Sequence, residues 1–333
     1  MNNANANPFF IFGSPRSGTS LLSRMMDAHE ELVVPQESLL FKMFCPFLKF
    51  YGDLSQLENQ KVLLKDMLNT RVIGYWSPKP KFEEVLPWIQ SPGLGGVVEA
   101  LIKSTAPDKS LKLWGEKSPG HVFYWPQIKS YFPNAKVVHI IRDGRDVAGS
   151  LLKARMGPKT YYAAAKLWRD YMQGMEAVKA NCSAENYVEI HYEQLLADPE
   201  TNLKKICDVL GVAYSDNMLN FHKNEALYAT DARNRENLQK PLMASNKEKW
   251  RSLMSLQDLQ EFETVAGNYL KQFGYPLVNE LGPMSSVKQA LIQYVTSPAV
   301  RFVSRARDSQ GQLEFLNVQH IKLNRMVHYY AKR

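Results

Sequence analysis

The chain has 333 residues, 45% of them hydrophobic, and a net charge of +8, enough for one large domain or two modest ones around a real core. It has no uninterrupted apolar run of the ~18 residues that a membrane-spanning helix needs, and its opening MNNANANPFFIFGS lacks the basic and apolar regions of a secretory signal. Cys45, Cys182 and Cys207 lie far apart, which argues against a disulfide framework or a zinc site and suits a reducing, cytoplasmic setting.

In chain order, PFFIF (8–12) is a short apolar run ending at a glycine and predicts a buried strand. GSPRSGTSLL (13–22) follows. Gly13 and Gly18 hold the two glycine positions of a nucleoside-triphosphate loop and Ser20 the hydroxyl position, but Thr19 stands where that loop has its lysine. A helix is expected over 19–30, with Leu21, Leu22, Met25 and Met26 on one face. LVVP (32–35) predicts a second strand. Residues 40–111 are rich in aromatics and proline, and read either as an inserted lid or as a helical subdomain with its own core. KLWGEK (112–117), AKVVHIIRD (135–143) and NYVEIHY (186–192) predict three more strands, with helical patterns over 121–132, 144–155, 160–180 and 199–210. Alternating strands and helices imply an α/β fold: a P-loop-like central parallel sheet of about five strands, covered on both faces. Asp143 and Asp198-Pro199 mark two helix starts. Ser255-x-x-Asp258 resembles a capping box for a helix over 256–272, closed by Gly274.

The phosphate chemistry sits at two places. At the first, the N–H groups of 17–20 at a helix start, the helix dipole and the Arg16 guanidinium make an anion site. Loss of the lysine speaks against a kinase or ATPase. At the second, IRDGRDVAGS (141–150), Arg142 ends the best strand and Ser150 lies about two helical turns on, suiting a separate phosphate. The competing reading makes Arg142 and Asp146 a surface ion pair worth ~1 kcal/mol or less. Two anion sites at two strand ends imply one nucleoside phosphorylated at two distant points.

These stretches resemble the cofactor signatures of PAPS-dependent sulfotransferases, with the pattern of the tyrosylprotein sulfotransferases and related bacterial enzymes. The matches run in order over roughly 9–278: GSPRSGTSLL, DAHEELVVPQES, EKSP, YFPNAKVVHIIRDGR, IHYEQLLADPE, and QKP ten residues before Trp250. The resemblance implies a sulfotransferase domain over 8–278, with 3′-phosphoadenosine-5′-phosphosulfate (PAPS) as donor, PAP as product and no metal. It assigns Arg16, Ser17, Gly18, Thr19 and Ser20 to the 5′-phosphosulfate, Arg142 and Ser150 to the 3′-phosphate, and Tyr192 and Lys240 to further cofactor contacts. Glu37, in PQES, matches the catalytic base, and Lys117, in EKSP, the lysine that stabilises the transferring group. A further family arginine is Ala154 here, with Arg155 beside it, and the serine upstream of the KP pair has no counterpart. The secretory disulfides and N-terminal anchor of the tyrosine-sulfating enzymes are missing, so the expected acceptor is a small-molecule or glycan hydroxyl.

Other residues weigh less. His29 is a secondary candidate for the base, otherwise a capping or packing histidine. His121 and His139 read as structural, and Trp250 and Tyr161-Tyr162 as core or acceptor wall. The segment 281–333 is a basic C-terminal extension carrying +6 of the net charge. It reads as a solubilising tail or as a surface for an anionic partner or peripheral membrane contact. Nothing resembles a base-reading nucleic-acid module.

Overall fold

A computed structural model describes residues 7–154, 157–223, 238, 240–243, 245–296 and 309–331. Five strands form one sheet: β1 (Phe9–Phe12), β2 (Leu32–Val33), β3 (Leu113–Glu116), β4 (Lys136–Ile141) and β5 (Tyr187–His191). The order is β2-β3-β1-β4-β5 and every pairing is parallel, with Phe9 opposite Gly115 on one side and Lys136 on the other. The helices used below are α1 (Thr19–Asp27), α2 (Leu57–Leu68), α3 (Gly93–Lys103), α4 (Gly144–Lys153), α5 (Tyr161–Ala180), α6 (Pro199–Leu210), α7 (Leu256–Gln272) and α8 (Ser309–Ala331). Among the described residues no single helix is long and apolar enough to cross a membrane.

Strand periodicity divides the core. Phe10, Phe12, Val137 and Ile141 join the cluster on one face, while Phe9, Ile11, Val138 and Ile140 join the cluster with Leu22, Met25, Leu203 and Ile206 on the other. Both faces are buried, so the strands read as continuous apolar runs rather than alternating ones. Residues 40–111 form short helices joined by turns, with no strand. Their aromatics Phe41, Phe44, Phe47, Tyr51 and Trp76 are buried in the same cluster as Phe10, whose ring centroid lies 6.3 Å from that of Phe41. The insertion therefore builds the core on one face of the sheet.

Several boundaries differ from the expected ones. α1 stops at Asp27, not at 30, because local side chains take over the backbone groups: Asp27 Oδ1 accepts from Val34 N (2.9 Å) and His29 Nδ1 from Glu31 N (3.0 Å). β2 is confined to Leu32–Val33, since Pro35 follows directly and offers no ladder N–H. The pattern over 121–132 splits into a 3₁₀ turn (Pro119–Tyr124) and an α-helix (Trp125–Tyr131), with Pro126 in the first turn of the latter. The caps are as expected. Asp143 Oδ1 accepts from Arg145 N at 2.9 Å, Asp198 caps α6, and Ser255 and Asp258 form a reciprocal capping box on α7.

Candidate active site

The phosphate loop lies between β1 and α1, at the carboxyl edge of the parallel sheet. Gly18 caps α1 at φ 95°, a left-handed conformation that favours glycine, and a Cβ there would sit 2.4 Å from Tyr192 Cδ2. The glycine is thus needed both for the turn and for the tyrosine ring packed against it. α1 has no intrahelical acceptor for the N–H groups of Thr19 and Ser20, which begin it. Ser17 N–H differs from expectation: it donates to Ser14 O at 3.1 Å and closes the turn. The Ser17 hydroxyl is buried and has no hydrogen-bond partner among the described residues.

The second signature sits against the first. Arg142 leaves the end of β4 buried, donates to Arg16 O (3.3 Å) and Asn246 O (2.9 Å), and stacks on the Tyr192 ring at 4.4 Å. Its Nη2 lies 3.6 Å from Asp146 Oδ2, so the pair exists but is buried rather than on the surface. Arg142 Nε has no partner among the described residues. Arg16, at φ 73°, turns its guanidinium away from its own loop and donates from Nε to Ser150 Oγ at 2.9 Å. The two anion cradles therefore meet directly. Together they wall a cavity of about 310 Å³ lined by Arg16, Gly18, Thr19, Ser20, Arg142, Ser150 and Tyr192.

Three lining residues carry no signal in the motifs. Lys153, one turn beyond Ser150, and Lys249 add two cations, and Asn246 links Arg142 to Tyr192 by donating to its hydroxyl at 2.8 Å. Lys153 was legible in principle from its i+3 spacing; Asn246 and Lys249 arrive by a long tertiary return. Lys240, by contrast, is exposed and does not line the cavity, because the chain enters the site with Leu238 and Asn246 instead. Arg155 lies outside the described residues.

A carboxylate and an amine meet beside the loop. Lys117 Nζ, at the end of β3, lies 3.0 Å from Glu37 Oε2 and 3.4 Å from Ser20 Oγ. Lys117 is 6% exposed and Glu37 40%, so the lysine is the inner member of the pair, and the pair lies beside the cavity rather than in its lining. Trp76, from the insertion, donates Nε1 to Glu37 O at 3.2 Å. The Tyr171 hydroxyl is close enough to feel this carboxylate: burial first, and then the Glu37 charge, push its pKa up.

A buried network interlocks the two segments that bear this pair. Glu116 Oε1 accepts from the hydroxyls of Ser38 (2.7 Å) and Ser118, while Ser118 Oγ accepts from Ser38 N (3.2 Å) and Leu39 N (3.0 Å). His121 Nδ1 lies 2.8 Å from Glu116 Oε2. Burial pushes the Glu116 pKa up, but the His121 charge and the hydrogen bonds from His121, Ser118 and Ser38 outweigh it and hold the carboxyl below its ordinary value.

The remaining candidates are structural. His29 Nε2 faces Ala213 O at 2.7 Å and is buried away from the cavity. His139 is buried in β4 against the Tyr187 hydroxyl (2.9 Å), and burial lowers its pKa despite Glu189. Trp250 is buried beneath Arg145, whose guanidinium carbon lies 3.9 Å from the ring, and Tyr162 packs with Met284 and Ile292.

Comparison with known proteins accords with this geometry. The family model described as "Sulfotransferase family" matches residues 8–216. Protein-tyrosine sulfotransferase A of Caenorhabditis elegans is 24% identical over 80% of this chain and 67% of its own length. Omega-hydroxy-beta-dihydromenaquinone-9 sulfotransferase Stf3 of Mycobacterium tuberculosis is 23% identical over 62% of this chain and 63% of its own. Among solved structures, the sulfotransferase domain from the curacin biosynthetic pathway superposes with a TM-score of 0.60 at 21% identity, covering 82% of this chain and 99% of that one.

Proposed function

The chain belongs to the sulfotransferase family, and on that premise we propose that it moves a sulfuryl group from PAPS to a hydroxyl, with Glu37 as base and Lys117 at the leaving oxygen. The observation that carries this is the position of Lys117, 3.0 Å from Glu37 and 3.4 Å from the Ser20 hydroxyl that opens the phosphate loop. PAPS supplies the activated sulfuryl group and a phosphate leaving group. The cavity suits such a donor: Arg142 Nε, on its wall, is a buried polar atom without a partner among the described residues, and four cations line it against one acid, Asp146.

Each residue has a stated task. The N–H groups of Thr19 and Ser20, with Ser17, would hold the 5′-phosphosulfate. Arg142, Ser150 and the Arg16 that bonds to Ser150 would hold the 3′-phosphate, and Tyr192 would pack on the nucleotide. Glu37, 40% exposed, takes the acceptor proton as the new S–O bond forms. Lys117 donates to the bridging oxygen as its bond to sulfur breaks, and its ammonium then lies beside the phosphate left behind. The leaving group is a single phosphate and the sulfuryl carries less charge than a phosphoryl, so protein cations are placed to do what Mg²⁺ does in phosphoryl transfer.

The acceptor favoured is a small-molecule or glycan hydroxyl. A tyrosine of a protein is the second reading, supported by the tyrosine-sulfating relatives. A P-loop kinase is disfavoured by Thr19 in the lysine position. The test is calorimetric binding of PAP and of ATP with and without Mg²⁺, followed by transfer of labelled sulfate from PAPS to a panel of phenols, sugars and tyrosyl peptides. Metal-independent PAP binding with transfer supports the proposal; Mg-ATP binding without PAP binding overturns it.

A further inference from the structure

The C-terminal helix α8 is held by one face only. Ile321 is buried, Val318, Met326 and Tyr329 pack on the core that residues 40–111 build, and Asn317 Oδ1 accepts from Arg71 N at 3.3 Å. Arg325 Nη2 donates to Asp66 Oδ1 at 2.9 Å, and Asp66 also accepts from the Tyr51 hydroxyl at 2.7 Å. This face fixes the helix on the Cys45–Tyr51 turn, on Arg71–Gly74 and on Asp66 of α2.

The opposite face is apolar and open. Leu313, Leu316, Leu323, Val327 and Tyr330 are 48–62% exposed, the Tyr330 ring at the helix end also meeting Phe50 edge-on at 6.2 Å. With exposed His320 they fall on two sevenfold rows, 313-320-327 and 316-323-330, alternating three and four residues apart. That is the a/d pattern of a coiled-coil seam, with a period of 3.5 residues that matches another helix. Phe315, also exposed, lies outside these rows. A core-facing helix hides such a stripe, and here the stripe faces away from the core that the other face already serves. The one polar position is occupied too: Asn324 Nδ2 donates to His320 Nε2 at 3.0 Å, and polar groups in a seam select register.

Charge decides the occupant. The residues flanking the seam are Asn317, Gln319, Asn324 and Met326, none of them charged. Flanking charges select a different partner in a heteromeric coil, and here there are none to select one or to repel an identical helix. Binding to an anionic lipid surface needs cations beside the apolar face. On this helix Arg325 is bonded to Asp66 and Lys322 is half-buried on the docked side. A patch that is apolar, neutral at its edges and periodic is self-complementary about a two-fold axis.

We propose that this face of α8 pairs with the same face of a second copy of the chain, forming a homodimer. The proposal is independent of the sulfuryl-transfer reading, because no residue of the seam lines the cavity. The test is sedimentation velocity of the full chain across the micromolar range. The wild type is expected to sediment at the mass of two chains. L316D/L323D is expected to sediment as one chain, its dissociation constant raised at least ~100-fold because pairing would bury unpaired carboxylates. V327R is expected to do the same, and L57D, at an exposed leucine elsewhere, to leave the dimer intact. Helical circular dichroism and PAP binding are measured on each variant to confirm that it is folded. A wild type that stays monomeric throughout, or a dimer that survives both seam variants, overturns the proposal. So does a monomer that co-sediments with phosphatidylglycerol vesicles through the same residues.

Discussion

At the scale of single residues, the site rests on pairs whose members come from different strands. Glu37 and Lys117 stand 80 positions apart and 3.0 Å from one another. A placed base contributes ~10²–10⁴ in rate, so Glu37→Gln is expected to lower transfer by about that factor while PAP binds as in the wild type. Near-normal turnover in that variant would remove Glu37 as base. Glu116 acts one step back. Its carboxylate ties Ser38 and Ser118, the neighbours of the catalytic pair, and His121 balances its charge. Removing one partner of a buried ion pair costs about 3–5 kcal/mol, so Glu116→Gln is expected to lower the unfolding free energy measured by urea titration by a comparable amount. The pH dependence has a definite sign. The folded pKa of Glu116 is depressed, so its stabilisation is present above the ordinary value of 4.5 and is lost as pH falls through the folded value. Glu116→Gln should therefore lose stability mainly above that value, converging on the wild type in acid. Parallel unfolding curves at pH 3 and pH 7 would contradict this.

At the scale of elements, the turns into helices do the positioning. The β1–α1 turn needs a left-handed residue at Gly18 with no Cβ, because Tyr192 fills the space beside it. Gly18→Ala is expected to displace that ring and with it the hydroxyl to which Asn246 donates, abolishing PAP binding by calorimetry. A Gly18→Ala protein that binds PAP normally would show the contact to be dispensable. The start of α7 is a separate case, outside the cavity lining. Ser255→Ala removes one half of a reciprocal cap and is expected to cost about 1 kcal/mol of stability with PAP affinity unchanged. The two variants separate a turn that shapes the site from one that only anchors a helix.

At the scale of the whole molecule, the cavity draws on distant parts of the chain: the loop at 16–20, the β4–α4 segment at 142–153, Tyr192, and the return that brings in Leu238, Asn246, Lys249 and Leu253. Closing them on one ligand should stabilise the fold as a unit, by ~2.7 kcal/mol at a PAP concentration a hundred times its dissociation constant. Lys153→Ala/Lys249→Ala is expected to weaken PAP more than 5′-AMP and to flatten the salt dependence of PAP binding, since the second phosphate is what these cations would meet. Equal losses for the two nucleotides would place them elsewhere.

The features legible along the chain are local or periodic. Five apolar runs imply five strands, caps at Asp143, Asp198 and Ser255 fall where side chains can meet nearby N–H groups, and the spacing of glycines announces an anion loop. Each of these is settled within a few residues, where propensity and hydrogen-bond reach are enough. The features that folding alone set lie between segments. It turned Arg16 away from its own loop to Ser150, closed Ser17 N–H onto Ser14, put Asn246 and Lys249 in the cavity in place of Lys240, and merged the aromatic insertion with the core of the sheet. Those outcomes depend on which side chains share a volume once the sheet is assembled, and close packing, unlike helical or strand period, leaves no trace in the spacing of residues along the chain.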